Sequence, residues 1–463
     1  MSPRNTIEVI PSARRLVEAL RDVGYDFPGA VADLIDNSIA AKATEVAVDI
    51  TFDGPDSWVR IADNGEGMDA ATINEALRFG SERSYSADDL GKFGLGLKTA
   101  SLSQCRRLSV ASRTNPVQTR IEARRFDLDR ITRDDRWEIE MIPAAEREEE
   151  LVEPLRTSPG TVVIWEKLDR VLGYKVPWGD RARNGLLDLA ERTEEHLAMV
   201  FHRFLTGEVP KRRRLTISVN GNKVRPWDPY ARDEARTERL MPYECDIVAN
   251  GASGMVRFEP YVLPPRDQFS SEREFDRLKG PSKWNQQQGF YIYRANRMIQ
   301  SGGWSWMRAA DEHTKLARAA LDFYPDLDSA FGINIAKMRV VLPAQLRDRL
   351  RQPVDELARR ADKVYRTKQS GTVYPGAAPT PPIGSKRSAK TETGQRAADP
   401  LAPVSPSGPT PAGEKQAVVA EGWEPVRVTL ERAAARIGEA DALGRIITQL
   451  REAAPEVARD LGW

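Results

Sequence analysis

Apolar positions along the first third of the chain recur with two different periods. The stretches "SARRLVEALRDVG" and "PGAVADLIDNSIAAKA" repeat them at helical spacing, whereas "EVAVDITF", "WVRIADN", "RRLSVASR" and "GTVVIWEKL" read as strands bounded by turn residues. From Ile7 to about Arg170 this mixture predicts an α/β sandwich, so residues 1–170 are expected to form a first domain preceded by a short N-terminal arm. The run "RNGLLDLAERTEEHLAMVFHRFL" is helical throughout and makes residues 171–207 a connector. Beyond it, "LTISVNGNKV", "SGMVRFEPYVL", "GFYIYRANRMI" and "FGINIAKMRVVL" are short strands, with Asn220-Gly221 as a hairpin turn. With the closing helix "PAQLRDRLRQPVDELARRADKVYRTK" they predict a second, smaller α/β domain over residues 208–366. Residues 367–422 are rich in Pro, Gly, Ser, Thr and Ala and hold too few large apolar groups to offset the entropy of folding, which predicts a disordered linker. An amphipathic helical segment is expected over 423–463, suited to packing on the body, to a protein partner or to self-association.

Composition narrows the function classes more than it names one. The 463 residues are 30% charged and 40% hydrophobic, and their 69 basic and 68 acidic side chains leave a net charge of +1. No bulk polycation points to nucleic acid or membrane, so such binding would need a local patch. The basic knot Lys211, Arg212, Arg213 and Arg214 is the candidate, and a solvated face is its plainer reading. Cys105 and Cys245 are the only cysteines, and His196, His202 and His313 the only histidines, which argues against a disulfide framework and a zinc module. The N-terminus lacks the apolar core of a signal peptide and no run approaches the ~18 apolar residues of a membrane span, so a cytoplasmic location with no membrane contact is expected.

Three motifs in fixed order carry the candidate chemistry. In "AVADLIDNS", Asp33 and Asn37 stand one helical turn apart, with Val31, Leu34 and Ile35 available for the core. In "IADNGEGMD", Asp63 ends an apolar strand and is followed by Gly65, Gly67 and Met68. In "GKFGLGLKTAS", Gly91, Gly94 and Gly96 precede Lys98 and an apolar run, a loop of bare amides suited to an anion. Each alone is a weak signal, and a helix with surface polar residues or a glycine turn explains any one of them. Together they are specific.

This ordered set resembles the GHKL ATPases, the superfamily of DNA gyrase B subunits, HtpG-type chaperones, histidine kinases and MutL. The resemblance implies a two-layer GHKL (Bergerat) ATPase sandwich of α+β/α/β class followed by a transducer-type domain. It assigns ATP and Mg²⁺ as cofactors, with Asn37 as the Mg²⁺ ligand. Asp63 would accept the adenine amino group, Gly65 and Gly67 let the base lie against backbone, and Met68 lines the base pocket. Gly91, Lys92, Phe93, Gly94, Leu95, Gly96 and Lys98 would wrap the phosphates, and Thr161 in "SPGTVVIW" would support Asp63. Hydrolysis of a γ-phosphate needs a carboxylate to orient and deprotonate water. The family uses Glu four residues before the Asn, and here Asp33 holds that place with a side chain one methylene shorter, which points to a water nearer the helix or to slow turnover. Asp36 is a rival base, but it diverges by about 100° from its neighbour Asn37.

The second half resembles the same branch more narrowly. "GINIAKMRVVLP" resembles the segment by which a transducer domain returns a lysine to the γ-phosphate, which makes Lys337 the sensor lysine, and "GFYIYRANRMI" is similar to the microrchidia (MORC) ATPases. Histidine kinases are disfavoured because the short segment ahead of the first motif has no phosphoacceptor His. The implied function is an ATPase that forms a homodimer on ATP and clamps DNA in genome maintenance or defence. Two alternatives are a protein-remodelling chaperone of the HtpG kind and a slowly hydrolysing scaffold that recruits an effector through its C-terminal helix. No metal-spaced nuclease cluster is evident.

Overall fold

Ser12 accepts the Arg15 amide and starts α1 (Ala13–Arg21); Asp26 accepts the Gly29 amide at 3.0 Å and starts α2 (Phe27–Ala40), with Pro28 in its first turn. The computed structural model describes residues 11–22, 24–79, 96–114, 120–280, 283–333 and 340–370, together with 444, 447, 448 and 451, which are helical. Two compact units divide the chain, Met1–Ala377 and Ala378–Trp463, and both sheets described here belong to the first.

The first sheet is built from β1 (Glu45–Thr51), β2 (Trp58–Asp63), β3 (Arg107–Arg113), β4 (Glu122–Asp127), β5 (Glu140–Met141), β6 (Gly160–Glu166), β7 (Thr216–Val219) and β8 (Asn222–Lys223), in the order β5-β4-β3-β6-β2-β1-β7-β8. Its pairs are antiparallel except β1 with β7. One face, with Val46, Val48, Ile61, Val110, Val163 and Trp165, packs on helical residues such as Val31, Leu34 and Ile35. The other face, with Ala62, Ala111, Val162 and Ile164, lies under Leu151 and Leu155. Covering on both sides explains why "GTVVIWE" is a continuous apolar run and not an alternating one. The helices between strands are α3 (Ala70–Leu77), α4 (Gly96–Leu102), α5 (Leu128–Asp134), α6 (Glu149–Val152), α7 (Asp180–Val200) and α8 (His202–Thr206), and α2 packs closely on α4 and α7.

The second sheet contains β9 (Glu238–Arg239), β10 (Tyr243–Ala249), β11 (Ala252–Val262), β12 (Gly289–Arg294), β13 (Arg297–Ser301) and β14 (Ala317–Phe323), ordered β10-β11-β14-β12-β13 with β9 on β11. The short helix α9 (Glu272–Leu278) precedes β12, and α10 (Ala344–Ser370) closes the unit against β10 and β11. Two buried or half-buried ion pairs tie this sheet together: Arg294 grips Asp328 through two bonds of 2.7 and 2.9 Å, and Arg203 pairs with Asp322.

One expectation meets a different strand pairing. The sequence pattern makes the hairpin of "LTISVNGNKV" the opening of a second domain that begins at residue 208; instead β7 lies parallel to β1, with Val46 opposite Ile217 and Val48 opposite Val219. The edge of β1 offers unpaired backbone groups, and Ile217 and Val219 gain burial there that the second sheet would have had to supply. In "FGINIAKMRVVL", Phe331 and Gly332 form a turn and residues 334–339 lie outside the described residues, as do the N-terminal arm to residue 10 and most of 367–463.

Candidate functional site

Asp63 ends β2, and its carboxylate is gripped from three directions. Oδ1 accepts the Gly65 amide at 2.9 Å and the Thr161 amide at 3.3 Å, and Oδ2 accepts the Ser38 hydroxyl at 2.8 Å. A carboxylate offers about four lone-pair positions, so among the described residues Oδ2 keeps one for an incoming donor. Burial pushes the Asp63 carboxyl above its ordinary value, and the three hydrogen bonds counter that only in part. The loop that follows is held by Ser112, whose Oγ accepts the Met68 amide at 2.8 Å, donates to the Gly160 carbonyl at 2.8 Å and meets the Thr161 hydroxyl at 2.9 Å.

Gly67 has φ +70°, and a Cβ there would stand 2.0 Å from the Arg113 carbonyl oxygen. Backbone therefore approaches backbone in the turn that follows Asp63, which no side chain permits. Gly65 is similarly close to Ala41 and to Asp63 itself.

Helix α2 supplies the second half of the site. From Val31 to Ile39 every residue is buried except Asn37, which opens outward one turn beyond Asp33. An exposed amide on an otherwise buried helix fits a Mg²⁺ ion, which takes one or two protein oxygens and keeps substrate phosphates and waters for the rest. Asp33 is 2% exposed; its Oδ2 accepts the Tyr25 hydroxyl at 2.7 Å, and Gly96 at the start of α4 lies against that oxygen so closely that a Cβ would come within 3.2 Å. Burial, and then the Asp33 charge, push the Tyr25 hydroxyl far up, so Tyr25 stays a donor. Asp36 faces the other way from Asn37, buried against Arg297.

Lys98 is held at the end of α3. Its buried ammonium donates to the carbonyls of Ala76 at 2.9 Å and Arg78 at 2.6 Å, at the end of α3, and burial brings it down to about 8. Meeting phosphates would require it to leave those carbonyls. Gly91, Lys92, Phe93, Gly94, Leu95 and Lys337 lie outside the described residues. The basic knot is partly engaged, Arg212 on the Ile39 carbonyl and Arg214 on that of Leu205, and Arg214 also lines an open groove with Lys223 and Arg225. Sequence reading missed Ser38, Ser112, Tyr25 and Arg297. Ser38 closes a quoted motif and Tyr25 follows a quoted stretch, so both were within reach, but Ser112 and Arg297 arrive from distant strands and carry no local signal.

A sheet flanked by helices, a carboxylate at a strand end and a glycine turn beside it are the features that place the chain by class. Residues 25–161 match the family described as "Histidine kinase-, DNA gyrase B-, and HSP90-like ATPase", so the chain carries a GHKL ATPase domain. Protein MICRORCHIDIA 5 of Arabidopsis thaliana is 40% identical over 81 residues, covering 16% of this chain and 11% of that protein. The DNA mismatch repair protein MutL of Rhizobium leguminosarum bv. trifolii (strain WSM2304) is 37% identical over 87 residues, covering 18% of this chain and 14% of MutL. The matched stretch thus spans about a seventh or less of these relatives' length. A solved N-terminal domain of a DNA repair protein aligns with 78% of this chain and all of its own at 16% identity and a TM-score of 0.41.

Proposed function

We propose that this chain binds and hydrolyses ATP and that ATP drives two copies into a clamp acting on DNA. The observation that carries the nucleotide reading is the Asp63 carboxylate, fixed by Gly65, Thr161 and Ser38 with one acceptor position left on Oδ2. An adenine amino group supplies the missing donor, and Gly67 lets the base lie on backbone.

The chain's own residues then divide the work. Asn37 would hold Mg²⁺, which when bound neutralises charge on the transferred phosphoryl group. Asp33 orients and deprotonates the attacking water as general base. Gly96, against the Asp33 carboxylate, brings the end of the phosphate loop to the same point. Lys98 and the sensor Lys337 would meet the phosphates. The buried, hydrogen-bonded state of Asp33 and its short side chain favour slow turnover.

The DNA reading rests on the microrchidia and mismatch-repair relatives and on the groove lined by Arg214, Lys223 and Arg225. The test is solution mass and ATPase rate with ATP, with a non-hydrolysable analogue and without nucleotide. Dimers with the analogue, lost in Asn37→Ala and trapped with ATP in Asp33→Asn, are expected. A mass and rate indifferent to nucleotide in all three proteins would refute the proposal.

A further inference from the structure

The two acids of α2 share a partner that comes from the other sheet. Arg297, the first residue of β13, is 261 positions from Asp36 in sequence, yet its Nε lies 3.0 Å from Asp36 Oδ2 and 3.1 Å from Oδ1, while its Nη2 stands 3.7 Å from Asp33 Oδ1. All three side chains are at most 5% exposed. A buried guanidinium whose task was only to neutralise one carboxylate would need only Asp36. Here the fork reaches two acids with different nitrogens, a geometry that a planar, five-donor group offers and an ammonium does not.

The delivery of that guanidinium is rigid. The turn between β12 and β13 is Ala295-Asn296, both in the left-handed region at φ 47° and 69°. Arg294, which ends β12, is locked on buried Asp328, and Arg203 stacks on the neighbouring Tyr293 ring at 3.6 Å while reaching Asn296 at 3.3 Å. Across the site, Tyr25 holds the opposite oxygen of Asp33. His196 on α7 adds no second cation near neutral pH, because burial and the Arg297 charge push it down to about 4.

We infer that Arg297 is a positioning residue for hydrolysis: it sets the Asp33 carboxylate from the second sheet, so the base is correctly aimed only when that sheet is docked on α2. This rests on the reading of Asp33 as the general base. Motion of the second sheet would then act on turnover directly, and nucleotide binding through Asp63, at the far end of α2, would stay independent of it.

The experiment compares Arg297→Gln, Arg297→Lys and Asp33→Asn in the full chain by kcat, KM and the Kd of a fluorescent ATP analogue. Arg297→Gln is expected to lower kcat at least about tenfold, as a misaimed base does, with Kd within about twofold of wild type. Arg297→Lys keeps the charge but reaches only one acid, so it should recover part of the lost kcat; it also decides the matter if Arg297→Gln fails to fold. Wild-type kcat in a folded Arg297→Lys and Arg297→Gln, or a fall in kcat matched by an equal loss of binding, overturns the inference. If Asp33→Asn itself turns over normally, the general-base reading fails first; if Asp33→Asn is inactive while both Arg297 variants are normal, only the role of Arg297 fails.

Discussion

Replacing Gly67 by Ala tests whether backbone must approach backbone in the turn after Asp63. The new Cβ would stand 2.0 Å from the Arg113 carbonyl oxygen and 2.6 Å from its carbon, both backbone atoms at the end of β3, so the loop or the strand has to move by about 1 Å to restore ordinary packing distance. The left-handed backbone at φ +70° adds its own penalty of roughly 1–2 kcal/mol for a residue with a Cβ. Overpacking of this kind costs roughly 1–3 kcal/mol, for a total of roughly 2–5 kcal/mol. At roughly 2–4 °C per kcal/mol in a mid-sized domain, the apo melting temperature should fall by roughly 4–20 °C. Gly221→Ala is the matched control, because Gly221 has φ +80° and no atom within 4 Å of the new Cβ. It should show only the backbone penalty, roughly 1–2 kcal/mol. The assay is thermal unfolding with and without a non-hydrolysable ATP analogue, where saturation at a hundredfold over Kd stabilises the wild type by about 2.7 kcal/mol. Gly221→Ala should keep that shift and Gly67→Ala should lose it. Equal melting of the two variants, with the nucleotide shift intact in both, would refute the close-approach reasoning.

Further outcomes follow from the same geometry. Burial raises the Asp63 carboxyl, so the folded state holds its proton more tightly than the unfolded chain, and that contribution to stability is present below the raised value and lost as pH rises through it. Asp63→Asn removes this dependence, and its apo melting temperature relative to wild type should rise between pH 4 and pH 7; a pH-independent gap would contradict the assignment. Lys98→Met strips the ammonium from the Ala76 and Arg78 carbonyls and should cost about 1–3 kcal/mol in the same melts, whereas a melt unchanged from wild type would deny those hydrogen bonds. Lys223→Glu with Arg225→Glu should weaken DNA binding and flatten its salt dependence by about 0.9 in log–log slope for each phosphate no longer neutralised, with ATPase unchanged. An unaltered salt slope would remove the groove from the DNA reading.

Local signals in the sequence placed the strands β1, β2, β3 and β6 and the helix α2, because the apolar spacing of "EVAVDITF" or "WVRIADN" is set by a single sheet face and needs no knowledge of neighbours. They also put Asp63 at a strand end and Gly65 and Gly67 in the turn after it. Pairing was not legible. Nothing within "LTISVNGNKV" says that β7 will join β1 some 170 residues earlier, and β10 and β14 have patterns that only their partners explain. The same limit hid the long-range side chains of the site: Ser112 is one serine in a strand and Arg297 one arginine after a turn until the fold sets them against Met68 and Asp33. Lys98 shows a limit of another kind. Its motif named a plausible anion, while the end of α3, with two carbonyls seeking a donor, supplied the partners found in the structure.

The most direct test of the central claim compares the dissociation constants of Mg-bound non-hydrolysable analogues of adenosine and inosine triphosphate. The two differ at C6 and N1, where adenine's amino donor and bare N1 acceptor become hypoxanthine's carbonyl acceptor and N1–H donor, and in the proposed pose the C6 group faces the remaining acceptor position of Asp63. A site built to accept the amino group should bind the inosine nucleotide at least about a hundredfold more weakly, since carbonyl and carboxylate then oppose each other unpaired. Equal affinity for the two would contradict the assignment of Asp63 to the base, and with it the nucleotide site as described.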